Sequence, residues 1–350
     1  MGSVTPLIAL AQELRKRDSK TEFFWIGTRK GPEKDLIEKN KITFKPIFSG
    51  KLRRYFSLRN FTDLFLIKLG FYQSLYHIIK FKPDAIVSAG GFVSVPVIWA
   101  GWVLRKKCLI HQLDVKAGLA NKICARFVKK ITISFEKTKD DFNKYKKPVI
   151  WTGVPVREEI FNGSRENAIK IFNLQADRKV ILALGGGTGA QELNNLITQS
   201  VPELTKYYEV IHLTGKGKNE ASQALSFDQR YHFFEFITED LVHAFAAADV
   251  VISRCGIGTL SELAALGKVC ILIPIPDSHQ EKNAEIFSKQ NAAIVLDQNE
   301  LTPEKLIDEI RTLISDESKR QELSKNIKII FKTDGALRLA DEVLKLISVK

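Results

Sequence analysis

The sequence has few cysteines and no long apolar run, and both features narrow the class of protein. Its 350 residues include four cysteines, Cys108, Cys124, Cys255 and Cys270, with no C-x-x-C pair and no histidine at metal-ligand spacing. This pattern predicts buried, reduced thiols in a cytosolic protein and gives no support to a disulfide framework or a metal site. No apolar run reaches the length of a membrane span, and no signal-peptide pattern opens the chain.

Length and pattern together predict the fold class. A chain of 350 residues is longer than one core normally organises, so two domains are expected. A Gly/Pro-rich stretch at 153–157 follows an apolar run at 149–151, which places the domain boundary after residue 157. Alternation of strand-like and helical runs indicates an α/β protein with parallel sheets and helices on both faces. The strand-like runs include residues 21–26, 85–87, 108–111, 130–134, 180–184, 210–214 and 250–252.

The segment 253–283 carries the strongest functional pattern in the chain. It follows an apolar strand at 250–252, and its glycines Gly256 and Gly258 are expected at a sharp turn that a ligand approaches closely. A helical pattern at 259–266 follows, so its unpaired N–H groups and dipole would face a diphosphate. Glu262 is placed to accept hydrogen bonds from ribose hydroxyls, and the polar run 277–283 suits a sugar. For one glycine pair alone, an ordinary helix cap is the competing interpretation.

A second unit of the same kind lies about 70 residues earlier in the chain. The apolar strand 180–184 is followed by Gly185-Gly186-Gly187-Thr188-Gly189 and by a helical pattern containing Leu193 and Ile197. Strand, glycine turn and helix are the arrangement that holds phosphate groups. No Gly-Lys-Ser/Thr follows, so the loop is not a Walker motif, and no carboxylate lies at the distance customary for a dinucleotide site.

A third helix start is predicted in the first half of the chain. Gly90, Gly91, Phe92, Val93 and Ser94 follow the strand 85–89, and a helix is expected to begin near Pro96. The N–H groups of this turn would again face an anion. His111 closes the next strand, where it is either a core residue or a functional one.

The net charge is +13, and the basic residues are concentrated in one apolar stretch. Residues 51–82 interleave arginine and lysine with more phenylalanine, tyrosine and leucine than one helix face can bury. The surplus predicts a surface that lies on an anionic bilayer, although a solvated basic face over a normal core is equally compatible with the pattern. No nucleic-acid-binding module accompanies the charge.

Six motifs in order give the chain a resemblance to a known family across almost its whole length. They are GSVTPLIALAQEL at 2–14, PDAIVSAGGFVSVP at 83–96, AGLANKICARF at 117–127, TGVPVREEI at 152–160, GGGTGAQELN at 185–194, and 253–283 extended through HQEKNA. The chain resembles the MurG family, peptidoglycan GlcNAc transferases that convert lipid I to lipid II with UDP-GlcNAc. The resemblance implies an inverting, metal-independent GT-B enzyme without a cofactor, built from two Rossmann-like domains that face each other across a cleft. It implies an acceptor domain 1–157, a UDP-GlcNAc-binding domain 158–335, and a last helix, 336–350, that packs back on the first domain.

The resemblance also implies roles for individual residues. Arg157 would reach the donor phosphates, Ile237 would pack against uracil, and His279, Gln280 and Asn283 would bind GlcNAc. Asp114 stands where the family usually has an asparagine that contacts the sugar, and as an acid it could also serve as the base. Gly187 stands where a serine is common, so Thr188 is expected to supply that hydroxyl. The complete donor-binding set is Asp114, Arg157, Gly187, Thr188, Ile237, Gly256, Ile257, Gly258, Thr259, Leu260, Ser261, Glu262, His279, Gln280 and Asn283; the acceptor diphosphate set is Gly90, Gly91, Phe92, Val93 and Ser94.

The start of the sequence departs from the family pattern. The family begins with a strand and a glycine-rich loop that ends in a histidine, a candidate base, before Val-x-Pro; here Ser3 takes the histidine's place. Thr5 and Pro6 are predicted to cap a helix at 7–17. We expect Met1 to be an internal codon of a longer gene; otherwise a central strand is absent.

Three functions remain compatible with the sequence. The leading one is the lipid I GlcNAc transferase, a peripheral protein of the cytoplasmic face of the plasma membrane that acts in cell-wall biogenesis, with cell-wall synthesis or division proteins as further partners. The second is a related glycolipid transferase acting on diacylglycerol. The third is a non-catalytic UDP-sugar-binding protein.

Overall fold

The computed structural model describes residues 2–29, 31, 33–50, 59–185, 191–332 and 334–348, apart from the side chains of 59–62 and 220–221. Contacts divide the chain into two compact units. Unit 1 comprises Met1–Arg157 and Lys332–Lys350, and unit 2 comprises Glu158–Phe331.

The first part of unit 1 alternates helices and parallel strands. Its elements are α1 (Thr5–Arg17), β1 (Phe24–Thr28), α2 (Glu33–Lys39), β2 (Thr43–Ile47), α3 (Arg59–Phe81), β3 (Ala85–Ser88), α4 (Ser94–Val103), β4 (Lys107–Gln112), α5 (Leu119–Cys124), β5 (Lys130–Ile133), two 3-10 helices (Glu136–Asp141 and Asn143–Tyr145) and β6 (Val149–Trp151). The strands form a two-stranded sheet, β1-β2, and a four-stranded sheet in the order β3-β4-β5-β6. Every pairing is parallel.

The four-stranded sheet is buried mainly through the apolar residues of its central strands, β4 and β5. In the register, Ile110 of β4 lies beside Ile131 of β5, and both are 0% exposed. Ile78 of α3 and Ile98 of α4 pack against them in one core cluster. Parallel strands lie side by side with their carboxyl ends at one edge, so the loops that follow β3 and β4 are neighbours.

The described residues of unit 2 form one parallel sheet. Its elements are a 3-10 helix (Glu158–Asn162), α6 (Arg165–Phe172), β7 (Val180–Leu184), α7 (Gln191–Leu204), β8 (Glu209–Leu213), α8 (Glu220–Gln223), β9 (Tyr231–Phe234), α9 (Leu241–Ala247), β10 (Val250–Ser253), α10 (Ile257–Leu266), β11 (Cys270–Leu272), α11 (His279–Lys289), β12 (Ile294–Val295), a 3-10 helix (Gln298–Glu300), α12 (Pro303–Ser315) and α13 (Glu317–Lys328). The strand order is β12-β11-β10-β7-β8-β9. All five residues of β7 are buried, so both faces of the sheet are covered. Ile181 and Ala183 pack with Ile197 of α7 and Ile310 of α12 on one of them.

The last helix, α14 (Gly335–Ser348), belongs to unit 1. Its apolar face packs Leu339 and Val343 against Leu10 and Leu14 of α1, and Leu109 of β4 belongs to the same cluster. An ion pair between Lys130 Nζ and Glu342 Oε2, 2.6 Å apart, fastens it to β5.

One predicted helix start is wrong in detail, and a second lies within two residues of its prediction. α1 begins at Thr5, with Val4 as its N-cap and no side-chain capping hydrogen bond, so Thr5 does not cap the helix. α4 begins at Ser94, two residues before Pro96, and Pro96 is buried within its first turn. Within the described residues, no helix is both long enough and apolar enough to cross a bilayer.

Candidate active site

The first turn of α10 opens directly from the end of β10. Gly256 is the N-cap and, having no side chain, leaves the first N–H groups of the helix without a side-chain cap. Its φ and ψ are −74° and 130°, an extended conformation that any residue adopts, so the backbone conformation at this position does not itself require glycine. Among the residues that the structure describes, none has an atom within 4 Å of a Cβ built at Gly256. The glycine therefore provides room in front of the helix, where N–H groups and dipole favour an anion.

The side chains of this turn point mostly into the protein. Ile257, Leu260 and Ser261 are 4%, 0% and 2% exposed, and the Ser261 hydroxyl donates to Gly258 O at 2.8 Å. Gly258 and Thr259 are half-buried. Any ligand in front of the turn would thus meet main-chain N–H groups and Thr259, while Glu262, 8% exposed, lies further along the helix.

The three predicted sugar-binding residues of α11 differ in burial. Ser278 caps the helix by accepting from Gln280 N at 3.1 Å. His279 is exposed and Gln280 is half-buried, but Asn283 is 0% exposed. Asn283 Nδ2 donates to Cys255 O at 3.0 Å, so its amide is turned toward the loop before α10.

Ile237, the predicted uracil contact, lies half-buried in the loop after β9. The preceding Glu235 fixes this loop, because its Oε1 accepts from Gly217 N at 3.0 Å and its carbonyl accepts from Gly215 N at 3.0 Å. Gly187 and Thr188 lie outside the described residues.

A buried polar network behind β8 was missed from the sequence. Asn194 of α7 donates from Nδ2 to Thr214 O at 2.7 Å, and its Oδ1 lies 3.2 Å from His212 Nε2. His212 Nδ1 lies 2.8 Å from the Tyr231 hydroxyl. Burial lowers the pKa of His212 to about 3, so the ring is neutral. The network ties α7 to β8 and β9.

In unit 1, Gly90 and Gly91 form the loop between β3 and α4, with φ of 94° and 82°. Only glycine adopts such values without strain. The Ser94 hydroxyl donates to Gly91 O at 2.6 Å and so closes the loop onto the start of α4. Val93 is the N-cap and makes no side-chain capping bond.

Asp114 lies half-buried in the neighbouring loop, after β4. Gln112, 2% exposed, holds that loop: its Nε2 donates to Asp114 O at 2.9 Å and to Lys116 O at 3.1 Å. Asn121 Nδ2 donates to Gln112 Oε1 at 2.7 Å, and the same amide lies 3.4 Å from a Cβ built at Gly90. Gln112 and Asn121, neither of which was predicted, therefore link the two loops.

Burial excludes His111 and Cys255 as chemically active residues. His111 is 0% exposed between the hydroxyls of Thr132 and Ser134, and burial lowers its pKa to about 3, so it is a neutral core residue. Burial raises the pKa of Cys255 to about 12, which makes it a packing residue and no nucleophile. Ser3 is half-buried in the turn before α1, and Arg157 is half-buried at the end of unit 1.

Comparison with known proteins assigns the chain to a family. The Glycosyltransferase family 28 N-terminal domain matches residues 1–133, and the C-terminal domain of the same family matches 180–339. A Bacillus cereus protein named UDP-N-acetylglucosamine--N-acetylmuramyl-(pentapeptide) pyrophosphoryl-undecaprenol N-acetylglucosamine transferase 2 is 40% identical over 89% of this chain and 88% of its own length. The chain belongs to the MurG family. A Legionella pneumophila transferase of the same family is 37% identical over 97% of this chain and 94% of its own. The predicted enzyme class, a glycosyltransferase, is confirmed.

Solved structures confirm the fold class. Acinetobacter baumannii MurG superposes with a TM-score of 0.70 at 24% identity, covering 98% of this chain and 96% of that chain. A putative UDP-N-acetylglucosamine 2-epimerase from Listeria monocytogenes gives 0.73 at 13% identity, covering 99% and 94%. At such identities the likeness shows the fold alone, the α/β GT-B fold of parallel sheets predicted from the sequence.

Proposed function

We propose that this MurG-family enzyme transfers GlcNAc from UDP-GlcNAc to lipid I, undecaprenyl-diphospho-MurNAc-pentapeptide, and so forms lipid II in peptidoglycan synthesis. The observation that carries the proposal is the uncapped first turn of α10, with no atom of the described residues within 4 Å of a Cβ built at Gly256. It accompanies 37–40% identity to transferases of that name over 89–97% of the chain.

Unit 2 holds the donor in this proposal. The main-chain N–H groups of Gly258 and Thr259 bind the diphosphate, and Glu262 binds the ribose. His279 and Gln280 have the exposure that a sugar contact needs, Ile237 packs against uracil, and Arg157 is the proposed phosphate contact. The leaving UDP gains negative charge as the glycosidic bond breaks, so donors fixed in the protein stabilise the transition state.

Unit 1 holds the acceptor. The loop Gly90–Ser94 and the start of α4 bind the lipid diphosphate, and Asp114 removes the proton of the acceptor hydroxyl as that oxygen attacks the anomeric carbon. The hydroxyl of Ser3 does not accept a proton at neutral pH, so Asp114 is favoured over it as the base. Gln112 fixes the backbone of Asp114 and thereby its position.

One face of α3 suits the membrane on which a polyprenyl acceptor lies. An apolar stripe runs along the helix, while Ile67, Ser74 and Ile78 on the opposite face are buried. Lys68 and Lys80 are exposed beside the stripe, and residues 51–58 lie outside the described part of the chain. An apolar stripe with flanking cations binds anionic bilayers, so we place the enzyme at the cytoplasmic face of the membrane. The stripe consists of Leu64, Phe65, Tyr72, Tyr76 and Ile79, each 57–63% exposed.

Vesicle sedimentation tests this surface. Tyr72→Glu combined with Tyr76→Glu should abolish binding to phosphatidylglycerol vesicles and leave soluble-donor binding unchanged. Phe227→Glu, at a residue 79% exposed in unit 2, is the matched control and should bind as the parent does. Equal sedimentation of both variants would contradict the assignment of the surface to α3.

The transfer reaction itself is tested with labelled UDP-GlcNAc and a lipid I analogue. Labelled lipid II analogue is the expected product, and its absence would contradict the proposal. A diacylglycerol acceptor in parallel separates the related glycolipid transferase, and tight UDP-GlcNAc binding without turnover identifies a non-catalytic binding protein. Partners in cell-wall synthesis or division remain a prediction.

Asp114→Asn isolates the base. If Asp114 removes the proton, kcat should fall about 100-fold or more while KM for UDP-GlcNAc stays similar. The asparagine amide of this variant keeps the capacity for a polar contact but cannot take up a proton. An unchanged kcat would therefore assign Asp114 to binding alone.

A further inference from the structure

The peptide of Cys255, between β10 and α10, is bonded on both sides by side chains of α11. Gln280 Oε1 accepts from Cys255 N at 3.1 Å, and Asn283 Nδ2 donates to Cys255 O at 3.0 Å. The two side chains are three residues apart, so they lie on the same face of α11. Together the two bonds fix the orientation of the backbone N–H and carbonyl groups of Cys255, the residue that precedes the N-cap Gly256.

The burial of Asn283 and Cys255 indicates that Asn283 holds the loop and does not contact the ligand. Asn283 and Cys255 are both 0% exposed, so the bond between them lies beneath the surface on which a ligand would rest. Gln280 is half-buried, and its Oε1 accepts a second N–H, from Ile275 at 3.3 Å. The amide oxygen of Gln280 is thus committed to the main chain, whatever its nitrogen binds.

Arg254 also holds this loop. Its Nη1 donates to Ile273 O at 3.0 Å and to Pro274 O at 3.3 Å, and its side chain is 3% exposed. Two consecutive residues of the loop before α10 are therefore anchored: Arg254 to the connection between β11 and α11, and Cys255 to α11 itself. Hydrogen-bond donors that are fixed before the ligand arrives bind it without a further ordering cost.

We propose that Asn283, assisted by Gln280, is a positioning residue that aims the first turn of α10 at the diphosphate and does not itself touch the sugar. The inference rests on the proposed donor site and adds to it a coupling: α11, the helix expected to hold the sugar, also sets the affinity for the diphosphate.

Calorimetric titration with UDP, which has no sugar, tests the proposal. Asn283→Ala should weaken UDP and UDP-GlcNAc by the same factor, about tenfold, as expected for the loss of one buried hydrogen bond. Lys282→Ala, an exposed neighbour on α11, is the control and should leave both affinities unchanged. Weaker UDP-GlcNAc binding with unchanged UDP binding would assign Asn283 to the sugar and overturn the proposal.

A second measurement distinguishes a failure of the positioning role from a failure of the donor-site assignment. Hydrogen exchange of residues 256–262 in the ligand-free protein should accelerate in Asn283→Ala and stay at the parent rate in Lys282→Ala. If the parent does not bind UDP, the donor assignment fails, and exchange alone decides the positioning role; unchanged exchange would refute it. If Asn283→Ala does not fold, Gln280→Ala removes the other half of the pair of bonds, and its affinity for UDP decides.

Discussion

Replacing Glu342 by glutamine should loosen the C-terminal helix from unit 1. Glu342 Oε2 lies 2.6 Å from Lys130 Nζ, and the two side chains are only 10% and 15% exposed. Lys345 Nζ donates to the other carboxylate oxygen at 2.9 Å. Glutamine keeps the shape but leaves the Lys130 ammonium without its buried carboxylate. Removing one partner of a fully buried pair costs about 3 to 5 kcal/mol, and the partial exposure of this pair lowers the expected cost to about 2 to 3 kcal/mol.

Hydrogen exchange of the segment 335–348 measures this cost locally. A loss of that size should accelerate exchange of α14 by roughly 30- to 150-fold. Asp341→Asn is the matched control on the adjacent residue, because Asp341 is 50% exposed and pairs with Arg17 at the surface. Such a pair contributes about 0 to 1 kcal/mol, so exchange should change little. Equal acceleration in both variants would refute the reasoning from burial.

The same pair predicts a pH dependence. Burial alone would raise the pKa of Glu342, but hydrogen bonds from Lys130 and Lys345 outweigh it and hold the pKa below its ordinary value. The stabilisation is therefore present above the pKa of the unfolded chain, about 4.3, and is lost as the pH falls through the lower folded value. Protection of α14 in the parent should decline below about pH 4, whereas in Glu342→Gln this decline should be absent.

Three further predictions concern single residues of the two sites. Arg254→Met removes a buried cation that donates to carbonyl oxygens beside the first turn of α10. Calorimetry should show an affinity for UDP about tenfold lower and an affinity for uridine little changed. An equal loss of affinity for both ligands would mean that Arg254 has a purely structural role. Burial lowers the pKa of His212 to about 3, so as the pH falls below about 6.5 the unfolded chain takes up a proton before the folded one and stability declines. In urea unfolding, His212→Asn should make this decline shallower by up to about 1.4 kcal/mol per pH unit. An identical slope in the two proteins would contradict a neutral His212 ring. Gly90→Ala, at φ 94°, should lower stability by about 1 to 2 kcal/mol in thermal unfolding. Gly118→Ala, at φ −66° and with no atom of the described residues within 4 Å of the added Cβ, removes only an N-cap glycine and should cost clearly less; equal effects would contradict the backbone argument.

The strands were the most predictable part of the fold. The apolar run 180–184 is β7 without a shift, because a strand buried on both faces needs a continuous apolar sequence. Helix starts were harder, since Thr5 and Pro96 have the residue types of a cap and a first position but lie inside their helices. A terminus is decided by what the preceding loop contacts, and one residue type does not reveal that.

The candidate site was predictable where neighbours in sequence act together. The motif 256–262 gave the first turn of α10, because its N–H groups belong to consecutive residues. The role of Asn283 was not visible, since its bond to Cys255 spans 28 residues. Gln112 and Asn121, whose bond spans nine residues, were missed because the sequence does not show which side chains a loop brings together.

The central claim is that the first turn of α10 holds the donor diphosphate. A crystal structure of the protein with UDP tests it most directly. The account predicts phosphate oxygens within hydrogen-bond distance of the main-chain nitrogens of Gly258 and Thr259. Density for UDP away from this turn, or none at a saturating concentration, would contradict it.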